Sequence, residues 1–230
     1  MPGLPPDTPD IQRRLSSLRG FSHAANNSGI APEYAVGMFR AVLRKRPQTV
    51  LEIGMANGGS TLTILSALAQ LGGDRLLISI DPSQSDYWGN VGLNNVQANG
   101  LSHLHRLIEE PDYLALPKLI EQNLKPDLAY IDGWHTFDHV LLDFFYVDKL
   151  LPVGGFVGFN DAGWRAIRRV LGFMATHRRY TELDVGIQKN YLGRNIVTSI
   201  GRRVLNVVNN DRWFEKAAAW EPEGNFYASF

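Results

Sequence analysis

The stretch VLEIGMANGGSTLTI, residues 50–64, limits the fold of this chain more than any other segment. An apolar run stops at Gly54, and Gly58 and Gly59 then open a segment with apolar residues at helical spacing. The pattern predicts a buried strand, a glycine turn and a helix. A helix N-terminus presents unpaired backbone N–H groups and partial positive charge, and glycine lets a ligand approach that backbone closely. We therefore expect a nucleotide-like cofactor at this turn.

The spacing of the glycines indicates which cofactor fits. A dinucleotide fingerprint needs a middle glycine so that the backbone can approach a pyrophosphate, and this chain has Ala56 there. The remaining pattern is an acidic residue followed by x-Gly-x-x-x-Gly. It resembles the first motif of class I S-adenosylmethionine-dependent methyltransferases. That cofactor has no pyrophosphate, so it suits the pattern better than NAD does. The resemblance implies cofactor contacts from Glu52, Gly54, Met55, Ala56, Gly58 and Ser60.

Length and composition indicate one globular domain acting on small molecules. The 230 residues suffice for a full α/β core. Lys and Arg number 23 against 23 Asp and Glu, so no electrostatic footprint for nucleic acid is visible. The absence of cysteine excludes disulfides and thiolate metal sites. No apolar run reaches membrane-spanning length, and the first ten residues do not resemble a signal peptide, so we expect a cytoplasmic protein without a membrane partner.

Alternating strand and helix patterns predict a Rossmann-like α/β fold. Two final strands, 181–187 and 195–200, would match the antiparallel pair that commonly closes the resembled fold, and residues 202–219 are expected to be helical. The predicted class is a doubly wound sheet with helices on both faces, mostly parallel with an antiparallel C-terminal strand pair. Such a sheet binds its ligand at the carboxyl ends of the strands. The five parallel strands are expected near residues 49–53, 76–80, 104–108, 127–132 and 155–159.

The expected organisation is a methyltransferase core, residues 48–203, with an extension at each end. Residues 1–47 are predicted to form an N-terminal helical cap, and residues 204–230 a C-terminal helix and tail packed on the core. In the resembled family such N-terminal segments often cover the active site. Substrate contact by His23, Asn26 and Asn27 is therefore one interpretation, and ordinary loop residues the other. The two extensions are also compatible with a homodimer.

Acidic residues after the second and third strands are further candidates for cofactor contacts. Asp81 lies 23 residues beyond Gly58, near the spacing at which an acid after the second strand meets a ribose diol. A carboxylate can accept hydrogen bonds from both hydroxyl groups; helix capping is the alternative role. In the resembled fold an acidic or polar residue after the third strand often meets the adenine amino group. Glu109 is assigned this role, with Glu110 and a solvated acidic pair as the alternatives.

Two stretches, AYIDGWHTFDHV and GGFVGFNDAGW, hold the candidate catalytic residues. Asp132, Asn160 and Asp161 end two strands that should be neighbours, so three oxygen-bearing side chains can converge near the cofactor. Such oxygen ligands suit Mg²⁺ or another divalent cation, which could hold the acceptor and lower its hydroxyl pKa. His135 is the candidate general base, because imidazole titrates near neutrality; a helix-capping or supporting histidine is the alternative.

Together with the first motif and Asp81, these stretches resemble bacterial small-molecule O-methyltransferases, especially those with divalent-metal sites. The resemblance spans roughly residues 49–177 and implies methyl transfer to an oxygen of a small molecule, with Asp132 as a catalytic and cofactor-contacting residue. Trp134 and Trp164 flank the acidic cluster as an aromatic wall or as core residues. The rivals are an NAD-dependent oxidoreductase, and a non-catalytic cofactor-binding or regulatory protein, which Asn160 keeps open.

Overall fold

The computed structural model describes residues 7–22, 30–187 and 210–230. The predicted contacts of His23, Asn26 and Asn27, and the predicted strand at residues 195–200, lie outside these ranges. The helices are α1 (Thr8–Ser16), α2 (Pro32–Lys45), α3 (Gly59–Leu71), α4 (Val91–Ala98), α5 (Asp112–Glu121), α6 (Phe137–Leu150) and α7 (Arg165–His177). The strands are β1 (Thr49–Ile53), β2 (Leu76–Ile80), β3 (His105–Ile108), β4 (Leu128–Ile131), β5 (Phe156–Phe159), β6 (Arg179–Leu183) and β7 (Arg212–Ala218).

Proline and glycine set the main helix boundaries. Pro32 is the first residue of α2, where its missing N–H and fixed φ cost nothing. Helix α3 begins after Gly58 and ends at Gly72, and both glycines have positive φ, which other residues rarely adopt. Helix α6 ends two residues before Pro152, which cannot continue a helix. These local signals are why the helix positions followed from the sequence.

The seven strands form one sheet in the order β3-β2-β1-β4-β5-β7-β6. Strands β1 to β5 pair in parallel, and β7 runs antiparallel to both β5 and β6. The last residue of β1, Ile53, is in register with Ile80 of β2 and Ile131 of β4. The parallel strands therefore end at one edge of the sheet. The predicted Rossmann-like class is confirmed.

Two apolar layers cover the sheet, one on each face. Helices α1, α2 and α3 pack on one face, and α5, α6 and α7 on the other. Successive strand residues alternate between the layers, so Val50 faces the first and Leu51 the second. Because both faces are covered, the strands are apolar without alternation. Among the described helices, none is long and apolar enough to cross a bilayer.

The C-terminal end of the sheet differs from the prediction. The helix expected over residues 202–219 is wrong for residues 212–218, which form β7 between β5 and β6. Pairing with β5 places Trp213 and Phe214 in opposite apolar layers. Burial on two faces outweighs helix propensity here. The predicted boundaries at residues 47/48 and 203/204 stay predictions, except that β7 belongs to the core sheet.

A buried charged cluster joins β6 and β7 to the rest of the molecule. Asp148 of α6 accepts hydrogen bonds from Arg178 Nε at 2.7 Å and from Tyr180 Oη at 2.7 Å. Lys216 Nζ of β7 lies 3.1 Å from Asp148 Oδ1, the oxygen that also accepts from Tyr180. Because the carboxylate is buried, losing one of these partners would leave an uncompensated charge.

Gly158 of β5 provides a test of how β7 packs. A Cβ atom at this position would lie 2.8 Å from ring atoms of Trp213, closer than packed atoms allow. We expect Gly158→Ala to lower the free energy of unfolding by about 1–3 kcal/mol through overpacking. Urea unfolding followed by fluorescence measures this change.

The matched control is Gly172→Ala in α7, where a Cβ atom meets Phe230 at 3.4 Å, an ordinary contact. This substitution should be neutral or slightly stabilising, because alanine favours helix. Equal stability of Gly158→Ala and the wild type would contradict the packing of Trp213 described above.

Candidate active site

A cleft of about 710 Å³ lies at the carboxyl ends of the parallel strands. This is the edge at which doubly wound sheets bind their ligands, and the volume is within the usual range for small-molecule sites. The strand ends and the following loops provide its walls. The lining residues are Ile53, Gly54, Ala56, Ile80, Asp81, Pro82, Ser83, Tyr87, Trp88, Pro111, Asp112, Tyr113, Asp132, Gly133, Trp134 and His139.

Asp81, directly after β2, holds the glycine turn in place. Its Oδ2 accepts hydrogen bonds from the backbone N–H groups of Met55 at 3.0 Å and Ala56 at 2.7 Å. Its Oδ1 accepts one from Ser83 N–H at 2.9 Å. The two turn donors therefore point at a carboxylate of the same chain. They are not available to a pyrophosphate, which is a structural reason to disfavour a dinucleotide.

Gln84 is a residue of this turn that the sequence analysis missed. Its side chain is buried, and its amide nitrogen donates to the carbonyl of Ala56 at 2.8 Å and to Asp81 Oδ2 at 3.1 Å. Its position three residues after Asp81 was the available signal.

Gly54 permits close contact between β1 and the end of β4. It has φ of 89°, and a Cβ atom here would lie 2.1 Å from the carbonyl oxygen of Asp132. Any side chain would separate these two strand ends. The motif predicts that Gly54 leaves space for a ligand. In the structure its missing side chain leaves space for the backbone of Asp132.

Glu52 lies behind the turn. It is fully buried and accepts hydrogen bonds from Ser60 Oγ at 2.6 Å, Thr61 Oγ1 at 2.8 Å and Ser79 Oγ at 2.5 Å. Burial raises the pKa of Glu52 to about 7, although these three donors oppose the shift. Glu52 thus joins β1, β2 and the start of α3.

The predicted cofactor residues divide into two groups. Those lining the cleft are Gly54, Ala56, Asp81 and Asp132. Those that support it from behind, outside the lining set, are Glu52, Met55, Gly58 and Ser60. The motif predicted direct contact with the cofactor for both groups, because spacing alone does not distinguish a lining residue from a supporting one.

The acidic residue that reaches the cleft after β3 is Asp112. Glu109 is exposed and accepts a hydrogen bond from Ser85 N–H at 2.6 Å, and Glu110 pairs with Lys118 at 2.6 Å; neither lines the cleft. The Ser85 hydrogen bond lowers the pKa of Glu109. Asp112 lines the cleft at the start of α5, so the predicted adenine contact of Glu109 stays a prediction with a stronger rival nearby.

His135 lies between the two carboxylates that follow β4 and β5. Its Nε2 is 3.3 Å from Asp132 Oδ1, and its Nδ1 is 3.6 Å from Asp161 Oδ2. Asn160 Nδ2 donates to Asp132 Oδ1 at 2.8 Å. The ring of Trp164 contacts the imidazole edge-on, with centroids 5.2 Å apart. The structure therefore brings together all four residues that the sequence analysis selected from these two strand ends.

The two carboxylates determine the protonation of His135. Burial alone would lower the pKa of this imidazole, but Asp132 and Asp161 outweigh burial and raise the pKa. Burial also raises the pKa of Asp161, while His135 opposes that shift. The site consequently holds a proton on His135 more readily than an isolated histidine would.

The donor set at Asp132, Asn160 and Asp161 does not match a divalent-metal site. Each carboxylate faces a nitrogen of His135, and the amide nitrogen of Asn160 is directed at Asp132. Within residues 7–22, 30–187 and 210–230, no group of three or more His, Asp or Glu side chains has an arrangement that could hold a metal ion.

Aromatic side chains form the outer part of the site. Trp134 is 68% exposed and Trp164 is 53% exposed, so the interpretation of both as core residues is wrong. Trp134 lines the cleft together with Tyr87, Trp88 and Tyr113. Aromatic faces at a cleft rim suit a flat ligand group.

The comparisons with known proteins agree with this geometry. A family model described as a methyltransferase domain matches residues 51–162. The fold is similar to that of an O-methyltransferase from Bacillus cereus, solved in complex with SAH, with a TM-score of 0.62, 14% identity and coverage of 78% of this chain and 84% of that chain. It is also similar to the O-methyltransferase TomG from Streptomyces achromogenes, solved in complex with SAM, with a TM-score of 0.64, 15% identity and coverage of 95% and 93%. A search of curated proteins gave no match.

The Asp81 carboxylate should be a main contributor to the stability of the turn. In Asp81→Asn the amide nitrogen would face backbone N–H donors, so at least one buried hydrogen bond is lost. We expect the free energy of unfolding to fall by about 1–3 kcal/mol. Glu109→Gln, at an exposed carboxylate with one such bond, is the control and should change stability by less than about 1 kcal/mol. Equal losses in both variants would contradict the role of Asp81.

Proposed function

We propose that this chain is a methyltransferase that uses S-adenosylmethionine to methylate an oxygen atom of a small molecule. The observation that carries the proposal is the position of His135 between Asp132 and Asp161, at the strand ends beside the cleft. The names of the two similar structures, both O-methyltransferases, support oxygen as the acceptor.

The sheet order indicates how the cofactor lies in the cleft. Residues after β3, β2, β1 and β4 follow one another along the edge, so Asp112, Asp81, Gly54 and Asp132 occur in spatial sequence. Asp81 in the middle accepts a ribose hydroxyl group at Oδ1, which has one protein donor, whereas Oδ2 has three. The methionine end lies near Gly54 and Asp132, beside His135, and the nucleobase lies near Asp112. We therefore assign the contact with the adenine amino group to Asp112 rather than to Glu109.

His135 acts as the general base. Its Nε2 is buried and faces Asp132, so the proton is received at Nδ1, the nitrogen near Asp161. Asp132 orients the imidazole, and both carboxylates stabilise the imidazolium that results. The cofactor supplies a methyl group on a sulfonium, already a good leaving group. Alignment of the acceptor oxygen, the methyl carbon and the sulfur therefore provides much of the acceleration.

The predicted divalent cation is not required by this arrangement. The imidazole already contacts both carboxylates, and the third predicted ligand is an amide directed at one of them. We therefore assign deprotonation of the acceptor to His135 alone.

The two rival functions are distinguishable from this proposal. An NAD-dependent oxidoreductase is disfavoured because the N–H groups of Met55 and Ala56 bind Asp81. A non-catalytic cofactor-binding protein would bind S-adenosylmethionine without turnover. Methyl transfer to any acceptor hydroxyl removes that second rival. The cytoplasmic location and the homodimer stay predictions.

Replacement of His135 tests the proposed base. We expect His135→Gln to lower kcat by about 10²- to 10⁴-fold with little change in cofactor affinity, because only proton transfer is lost. Release of S-adenosylhomocysteine, measured over a panel of phenols, catechols and sugars, gives the rate. The control is His103→Gln, at an exposed histidine of the turn Ser102–Leu104, which should behave as wild type. Full activity of His135→Gln would refute the assignment.

The pH profile provides the second part of this test. His135 must be neutral to accept a proton, and its pKa is raised, so kcat/KM should fall as the pH drops through a value above the ordinary 6.5 or so. Asp161→Asn removes one of the charges that raise this pKa, so the acid limb should move to lower pH. An acid limb at the same pH in both proteins would contradict the electrostatic account.

Chelation tests the metal prediction. We expect treatment with EDTA followed by gel filtration to leave kcat unchanged within about twofold, since His135 occupies the space between the carboxylates. Added Mg²⁺ should have no larger effect. Loss of turnover on chelation, with recovery on Mg²⁺, would support the metal site predicted from the sequence instead.

A further inference from the structure

Asp143, on the inner face of α6, is a buried acid that the proposed reaction does not use. Its side chain is completely inaccessible, and within the described part of the chain neither carboxyl oxygen receives an N–H or O–H donor. An ionised carboxylate in such a place would be strongly unfavourable. Asp143 therefore needs either a proton or a partner.

The group that Asp143 meets is another carboxyl, that of Asp112. Two carboxyl groups form a hydrogen bond only when one of them carries a hydrogen. Burial, reinforced by the charge of Asp112, raises the pKa of Asp143 well above its ordinary value. Because Asp143 is completely buried whereas Asp112 reaches the cleft, Asp143 is the protonated donor and Asp112 the acceptor.

Asp143 lies directly behind two walls of the cleft. Asp112 lines the cleft, and a Cβ atom on the lining residue Gly133 would come within 3.6 Å of Asp143 Oδ2. Two further groups contact the Asp112 carboxylate. Its Oδ1 accepts a hydrogen bond from Tyr113 N–H at 2.7 Å, and its Oδ2 is 3.3 Å from His139 Nδ1.

His139 and Asp143 are four residues apart on α6, so they share one face of the helix. Both contact Asp112, which belongs to a different helix. Leucine at position 143 would extend the apolar layer of α6 without any buried polar group, which is often as stable as a buried polar pair. An acid here is therefore better explained by the orientation that it imposes on Asp112.

We propose that Asp143 is a positioning residue for the nucleobase end of the cofactor: it donates its hydrogen to Asp112 and thereby directs the remaining lone pairs of Asp112 into the cleft, toward an exocyclic amino group. This inference rests on the proposed use of S-adenosylmethionine. It explains why the carboxylate after β3, rather than an exposed neighbour, recognises the base.

The test compares two ligands that differ at one group, S-adenosylhomocysteine and S-inosylhomocysteine, in which an oxo group replaces the amino group. Calorimetry gives both Kd values for each protein. Wild type should prefer the adenosyl ligand. Asp143→Leu should lose about tenfold in affinity for it and most of the preference, the size of one hydrogen bond to a charged group. Asp143→Asn retains an N–H donor and should stay within about threefold of wild type.

A second variant keeps the proposal testable if Asp143→Leu does not fold. In Asp112→Ala the acceptor for the exocyclic amino group is removed, so the preference for S-adenosylhomocysteine over S-inosylhomocysteine should be lost although Asp143 is intact. The wild-type preference retained in Asp112→Ala would overturn the proposal.

Asp148→Asn is the matched control. Asp148 is also buried on α6, but its partners Arg178 and Lys216 lie away from the cleft. This variant should lose stability and keep the wild-type ratio of the two Kd values. If Asp143→Leu also keeps the wild-type ratio of the two Kd values, Asp143 has only a packing role and the proposal is wrong. Failure of wild type to bind S-adenosylhomocysteine at all would instead refute the proposed function.

Discussion

The backbone hydrogen bonds that continue past the ends of the parallel strands fix the positions of the functional residues. Gly54, Asp132 and Asn160 each donate their N–H to the last residue of the neighbouring strand, with distances of 2.8 to 3.1 Å. Asp81 does the same toward Ile108. Each of these residues is the first after its strand, so the backbone hydrogen bonds of the sheet continue for one residue into each loop. Sheet geometry thereby places Gly54, Asp81 and Asp132, which line the cleft.

Several carboxyl groups with raised pKa values lie at the same edge of the sheet. Asp211 is buried, accepts hydrogen bonds from Tyr130 Oη at 2.7 Å and from Trp213 Nε1, and has a pKa raised by burial to about 8. Glu52 and Asp161 also have raised pKa values, for which burial is the largest cause. Protonation and hydrogen bonds from hydroxyl groups therefore offset much of the negative charge of these carboxyl groups. A region of this character holds a titratable imidazole, that of His135, between two carboxyl groups.

Two aspartates of α6 show how one helix serves stability and recognition separately. Asp148 meets Arg178 and Lys216 and joins the antiparallel end of the sheet to the core. Asp143 meets an acid and lies behind the cleft. Their environments, not their residue type, decide which is a charged structural partner and which a neutral donor.

The sequence by itself determined the parallel half of the fold and the selection of the residues proposed for catalysis. Strand, glycine turn and helix follow from local periodicity, and residues directly after parallel strands must meet at one edge, which is why Asp81, Asp132, His135 and Asp161 could be selected without coordinates. Only the tertiary structure decided the rest. It made residues 212–218 a strand, because burial on two faces outweighs helix propensity, and it separated Glu52, which supports the turn, from Asp112, which reaches the cleft. Such outcomes depend on contacts between residues distant in the chain, which no local pattern records.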